Sequence, residues 1–341
     1  MKLLIPHSFS YEKYYPGATD LPYEATGAKL RDEIRARAPE IEVILSENTA
    51  QTDKAIVDAE ALVAYSVPQE LINRAPKLRW IQAASAGIDH FFKSSGLTPE
   101  ILSQRKIVLT KAAGVTRIVI GEHVFAMILA LTRGVPRAVR QQERREWQIF
   151  TGSEISGRTL GIVGLGEIGE RVAELGRAFG MHVIGTRRST EFYAGFANRA
   201  YSQVEINKVF EAADILVLAC SLNDETRGLI NRESLARMKS GALLINIARG
   251  EVVVEDDLVE ALRSGQIAAA ALDTFGRSRA GALRDLEALR PESALWELEN
   301  LLVMPNNAAG TDRVFYYLAE IIADNHRRIT SGNAPRHAVP L

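Results

Sequence analysis

Gly164-Leu165-Gly166-Glu167-Ile168-Gly169 decides the fold of this chain. The apolar run before it, Leu160 to Val163, reads as a buried strand, and Arg171 to Phe179 after it reads as a helix. In that setting each glycine has a physical task. The first two let the chain turn tightly and let a pyrophosphate approach the backbone. The third lets helix pack close on strand, and the helix N-terminus then faces the phosphates. A Gly-x-Gly-x-x-Gly in a loop means little. Between a strand and a helix it predicts a dinucleotide site built from Gly164, Leu165, Gly166, Glu167, Ile168 and Gly169.

Outward from this motif, short apolar runs alternate with amphipathic segments, which predicts α/β architecture with parallel sheet. A second unit from about Gly157 to Pro305 has strand candidates at Thr159–Val163, His182–Thr186, Ile215–Ala219, Ala242–Ile247, Ala269–Leu272 and Leu301–Met304, the pattern of a doubly wound dinucleotide-binding domain. A first unit has candidates at Leu3–Ile5, Glu42–Leu45, Ala61–Ala64, Trp80–Ala83 and Ile107–Leu109, with a helix over Gly27–Ala38. A long helix is expected from Ile118 to about Leu131, then a basic, polar segment from Arg133 to Trp147. Arg277 to Arg290 reads as a surface excursion, and the last helix, about Asp312 to Ile329, is expected to pack back on the first unit.

Composition narrows the function. The 341 residues suffice for two domains with substantial cores, and 47% hydrophobic with 24% charged residues is ordinary for a soluble globular protein. A formal net charge of -1 gives no electrostatic reason to expect nucleic acid or an anionic membrane as partner. The single cysteine, Cys220, excludes an intrachain disulfide and any multi-cysteine zinc site, no metal site is expected, and its apolar surroundings predict an inert thiol. The opening residues, Met1 to Pro6, read as a strand rather than a signal peptide, and no apolar stretch is long enough to span a bilayer. A cytoplasmic protein is the simplest expectation.

Two further stretches carry chemistry. The adenosine ribose pocket is expected about 20 residues past the glycines, where an acidic residue would bind the ribose hydroxyls of NAD. This chain has Gly185-Thr186-Arg187-Arg188-Ser189 there. Two guanidinium groups and two hydroxyls suit a 2′-phosphate, so NADP is expected in preference to NAD, with NAD still accepted if the arginines are merely solvated. Asn246 to Val253 ends a buried strand at the carboxyl edge of the sheet, where ligands of open α/β sheets bind. Arg249 in that stretch is a permanently charged, planar fork that could hold a carboxylate and polarise an adjacent carbonyl.

With these pieces in place the chain resembles the D-isomer-specific 2-hydroxyacid dehydrogenase family over nearly its whole length. The matching stretches are Ser85 to Asp89, Gly121-Glu122-His123, Gly164 to Gly169, Glu225 to Ile230, Asn246 to Val253, Ala271-Leu272-Asp273, and Pro305 with Ala309-Gly310. The resemblance implies two Rossmann-like domains: a flavodoxin-like substrate domain of residues 1–110 with 306–341, and a cofactor domain of residues 111–305 with a doubly wound parallel sheet. It implies an active site in the cleft between them. It also gives Ser85, Ala86 and Gly87 the substrate carboxylate, Arg249 the carboxylate and keto oxygen, and Ile247 and Asp273 a place in the cofactor site, Asp273 near the nicotinamide amide. As a turn or cap residue after a strand, Asp273 would have a second use.

The family pairs a glutamate with a histidine. Thr274 to Ser278 holds no acid, and Glu287, ahead of Leu295-Trp296, resembles the glutamate displaced by an insertion. In the family's Pro-His pair the histidine is replaced by Asn306. Histidine can give a proton to a forming alkoxide near neutral pH, whereas an asparagine amide only donates a hydrogen bond. Asn306 would then orient a carbonyl, or serve as a helix cap or turn residue. No other histidine fills the gap: His90 and His123 beside family-like motifs are expected to be structural, and His182, His326 and His337 lie elsewhere.

Three functions remain open on these residues. The leading one is hydride transfer between NAD(P)H and a 2-oxoacid or D-2-hydroxyacid. Without the histidine, the site could instead run a non-redox lyase or isomerase reaction on a retained dinucleotide, or the chain could be a dinucleotide-sensing binding protein. The stretch Ile118–Trp147 resembles the family's dimer-forming region, so a homodimer is expected.

Overall fold

The computed structural model describes residues 1–9, 23–191, 193–276 and 289–341 and divides them into two compact units, Met1–Thr116 with Gly310–Leu341, and Arg117–Ala309. The crossings fall at 116/117 and 309/310, a few residues beyond the expected 110/111 and 305/306: Ala112 and Val115 pack into the core of the first unit, and Ala308 into that of the second.

The first unit contains β1 (Lys2–Ile5), α1 (Tyr23–Arg37), β2 (Glu42–Leu45), α2 (Thr49–Ala55), β3 (Ala61–Ala64), α3 (Gln69–Asn73), β4 (Trp80–Ala83), α4 (Asp89–Ser95), α5 (Pro99–Gln104) and β5 (Val108–Thr110). Its sheet has the order β2-β1-β3-β4-β5 with every strand pair parallel, the flavodoxin-like arrangement. Both faces are covered, so the strands read as continuous apolar runs. Side chains alternate between two cores: Leu3 and Ile5 pack with Leu30 and Ile34 of α1, while Leu4 packs with Leu62, Ile81 and Phe91 on the other face.

The second unit contains α6 (Arg117–Thr132), α7 (Val135–Arg144), β6 (Thr159–Val163), α8 (Glu167–Ala178), β7 (His182–Thr186), β8 (Arg199–Tyr201), α9 (Ile206–Ala212), β9 (Ile215–Leu218), α10 (Arg232–Arg237), β10 (Leu243–Asn246), α11 (Glu255–Ser264), β11 (Ala269–Leu272) and β12 (Leu301–Val303). Its parallel sheet runs β12-β11-β10-β9-β6-β7-β8, the doubly wound order with the first strand, β6, between the two directions of winding. Helices α6 and α8 cover one face with Leu160, Ile162, Val217 and Ile245, and α9 to α11 cover the other with Leu216, Leu218 and Leu244.

The final helix, α12 (Val314–Thr330), returns to the first unit as expected: Phe315, Leu318 and Ile322 are buried in the core that α1 shares. A polar lock fixes it there. Asn325, wholly buried, donates to Gln82 Oε1 (3.3 Å) and accepts from the Arg336 N–H (2.7 Å), while Thr110 donates to the same Gln82 oxygen (2.7 Å) and accepts from Trp80 Nε1 (2.8 Å). Two elements depart from the expectation. Residues 135–144 of the basic segment form a helix, α7, with no buried side chain. The edge strand β8 has only three residues and no apolar run to announce it. Residues 277–288 of the expected surface excursion lie outside the described residues.

Candidate active site

The glycine turn joins β6 to α8. Gly164 has φ +102°, and a Cβ there would lie 2.9 Å from the Ala219 carbonyl oxygen, so both conformation and space demand glycine. Its N–H and that of Leu165 donate to the Thr186 carbonyl at 3.2 and 2.7 Å, tying the turn to the end of β7. Gly169 lets α8 close on the turn: a Cβ would meet the Gly164 oxygen at 2.1 Å. Above Gly166, where a Cβ would meet nothing within 4 Å, space is open, and Gly166 offers α8 no side-chain cap. A helix N-terminus facing free space beside glycine backbone fits a pyrophosphate.

At the end of β7, Thr186 is buried and its hydroxyl has no hydrogen-bond partner among the described residues, which suits a ligand ribose. Arg187 lies with its guanidinium 5.3 Å from the centre of the Tyr193 ring, and Arg188 is exposed. Burial pushes the Tyr193 phenol up to about 12; the Ala197 N–H opposes this and the Glu170 carboxylate adds to it. The phenol therefore stays neutral and donates to Glu170 (3.2 Å), anchoring the platform under Arg187. Nearby, burial raises the Cys220 thiol to about 11, in keeping with an inert cysteine.

The carboxyl ends of β10, β11 and β12 are knitted together. Asn246 is wholly buried; it accepts from the Ala248 N–H (3.0 Å) and donates to the Arg249 carbonyl (3.1 Å), folding the turn back on itself. Ile247 stays in the core, and Arg249 projects, exposed, with Nη1 on the Ala248 carbonyl at 2.7 Å. Gly250 is pressed against the Phe275–Gly276 backbone so closely that a Cβ would collide with it at 1.8 Å. Asp273 donates its N–H to the Asn246 carbonyl (2.9 Å), and its buried carboxylate receives the N–H groups of Asn307 (3.0 Å) and Ala308 (3.1 Å). His123 of α6 brings Nε2 to 3.2 Å from Asp273 Oδ1, without hydrogen-bond alignment. Asn306 occupies the left-handed region at φ 53° and is half-buried, its N–H on the Met304 carbonyl at 3.0 Å.

The structure thus brings Arg249, Asp273 and Asn306 to one edge of one sheet. Of the two local uses open to Asn306 the structure has the turn, since the N-cap of α12 is Arg313 and six residues lie between them. His123, expected to be structural, faces Asp273. Asn246 was also missed as a brace, although a polar residue ending an apolar strand was the available signal. Glu287 lies outside the described residues. In the first unit, Ser85, Ala86 and Gly87 follow β4; Ser85 donates to the Gly87 carbonyl (2.8 Å) and so shapes the loop, leaving Ala86 and Gly87 exposed. Among the described residues no cluster of side chains suits a metal ion.

Comparison with known proteins agrees with this geometry. Residues 125–308 match the family model of the D-isomer specific 2-hydroxyacid dehydrogenase NAD binding domain. The chain is 31% identical to a glyoxylate reductase of Aeropyrum pernix, covering 98% of this chain and 96% of that one. It is 30% identical to a D-3-phosphoglycerate dehydrogenase of Methanocaldococcus jannaschii over 89% of this chain, and spans only 56% of that relative's length. A solved structure from Aeromonas salmonicida, a D-isomer specific 2-hydroxyacid dehydrogenase family protein, superposes with a TM-score of 0.74 at 28% identity, covering 99% and 98% of the two chains. A glycine turn that accommodates a dinucleotide, the order of the motifs around it and the matched domain lead to one assignment: the chain belongs to the D-isomer specific 2-hydroxyacid dehydrogenase family and carries that family's NAD-binding domain.

Proposed function

We propose that the chain reduces a small 2-oxoacid to a D-2-hydroxyacid with NAD(P)H, or runs the reverse, and prefers NADP. The observation that carries this reading is the Asn246 brace, which presents Arg249 at the carboxyl end of β10, in the sheet whose glycine turn fits the cofactor. When bound, the dinucleotide supplies the hydride that the carbonyl carbon receives.

Arg249 grips the substrate carboxylate through a planar fork of N–H donors, a geometry a lysine does not present, and draws electron density toward the keto oxygen. The backbone N–H groups of Ala86 and Gly87 are assigned to the same carboxylate on the family resemblance. Ile247 and Asp273 border the nicotinamide end, and Arg187 with Arg188 recognise the 2′-phosphate. Asn306 donates an amide hydrogen bond to the carbonyl oxygen but holds no proton to give, so water or Glu287 supplies it. The working species is a cytoplasmic homodimer: Trp147 is 93% and Ile149 92% exposed beside α7, apolar surface that calls for a partner copy.

The test is steady-state NADPH oxidation with glyoxylate, hydroxypyruvate and longer 2-oxoacids. Arg249→Ala is expected to lower kcat/KM by about 10³-fold while NADPH still binds. A variant as active as the parent sinks the assignment.

A further inference from the structure

We propose that His123 is a positioning residue which, through Asp273, fixes the turn that carries Asn306. The proposal takes from the reductase reading only what that turn is for.

Three observations converge. His123 stands on a helix whose neighbouring residues Val124, Phe125, Met127 and Ile128 are buried in the core, where a polar ring is costly unless a partner repays its desolvation. Its Nε2 is fully enclosed and has no aligned hydrogen bond among the described residues, yet lies 3.2 Å from Asp273 Oδ1. Asp273 in turn spends its two oxygens on two consecutive backbone donors, Oδ1 on Asn307 and Oδ2 on Ala308. A carboxylate held this way is a clamp, and rotation about its Cβ–Cγ bond would release both donors at once. The imidazole stands against Oδ1, the oxygen that also holds the Asn307 N–H, and so limits that rotation by contact and by the N–H it can turn toward the carboxylate. A chain that uses Asn306 in place of a proton-carrying ring depends on where that one amide points, because orientation is all it contributes. His123 therefore sets substrate-carbonyl alignment from a position that touches no substrate.

The experiment compares the full-length chain with His123→Phe, which keeps ring volume without an N–H, and His123→Gln, which restores an N–H near Nε2. The readouts are amide hydrogen exchange at Asn307 and Ala308, NADPH affinity by fluorescence, and kcat. In His123→Phe, exchange at both amides is expected to rise and kcat to fall by about tenfold each, with NADPH affinity within about twofold of the parent; His123→Gln is expected within about threefold on all readouts. Parental exchange rates in His123→Phe overturn the proposal, and so does a His123→Gln as impaired as the phenylalanine variant. Should His123→Phe fail to fold, Asp273→Asn replaces it. Its amide accepts through one oxygen only, so exchange must rise at one of the two backbone positions, and unchanged exchange there overturns the clamp. If the parent reduces no 2-oxoacid, the reductase reading falls while the exchange data still decide this one.

Discussion

Asn306 adopts φ 53°, a left-handed conformation that asparagine, aspartate and histidine tolerate better than other L-residues. The backbone therefore accepts a histidine without rearrangement, and what the asparagine lacks is the proton. Asn306→His is expected to raise reductase kcat by about 10²–10⁴-fold, the usual worth of a placed general acid, and to give the rate a pH dependence near neutrality. A rate no higher than the parent's, measured by NADPH oxidation, would show that position 306 does not face the reacting oxygen. Gly250 is a second residue where geometry decides. Gly250→Ala drives a methyl into the Phe275 backbone and is expected to cost about 2–4 kcal/mol in chemical denaturation; a loss under about 0.5 kcal/mol would contradict the packing. The site was partly readable at this scale. The glycines of the turn were legible because backbone conformation and close approach admit one residue type, and the place of Arg249 past the end of a buried strand was legible because an apolar run leads into it. Asn246 was signalled by a polar residue at the end of an apolar strand but overlooked, and His123 was not legible because its partner, Asp273, follows β11 150 residues along the chain.

At the scale of elements, α12 is held to the first unit's sheet by packing on one side and by Asn325, Gln82 and Thr110 on the other. Asn325→Leu takes the acceptor from the Arg336 N–H and one of two donors from Gln82 Oε1, which keeps Thr110, and is expected to cost about 1–3 kcal/mol, whereas a surface exchange on the same helix costs under about 0.5. The neighbouring His326 makes this packing sensitive to pH. Burial lowers its pKa below 6.5, and Glu40 only partly opposes this. The folded state therefore binds fewer protons than the unfolded chain, so stability is complete above 6.5 and falls as pH drops from there toward the folded pKa. Melting curves across that range are expected to fall less steeply for His326→Gln than for the parent; parallel curves would remove His326 from the account. Strands built on a short apolar run announced themselves, β12 with three residues among them, whereas the edge strand β8, Arg-Ala-Tyr, carried no such run to detect. Helix α7 lacked the usual signal for another reason. None of its side chains is buried, and Val135 and Val139 are about half exposed, so no apolar stripe marks it in the sequence.

For the whole molecule, exposed Trp147 and Ile149 and the unburied α7 define the surface on which the proposed homodimer rests. Light scattering is expected to report two chains per particle for the parent and one for Trp147→Ser/Ile149→Ser; a monomeric parent at micromolar concentration would refute the dimer. The fold class and the presence of a cofactor domain were legible because motifs in a fixed order constrain topology more tightly than any single motif does. The substrate was not, because strand ends and glycines report where a ligand lies and say little about its side chain. The claim on which the rest depends is that this sheet edge holds a reduced dinucleotide beside a guanidinium that grips a 2-oxoacid. It is tested most directly by following NADPH in the presence of a 2-oxoacid with the parent and Arg249→Ala side by side. The account predicts steady net oxidation by the parent, largely abolished in the variant with NADPH affinity intact; bound NADPH that no 2-oxoacid consumes, or equal oxidation by both proteins, would contradict it.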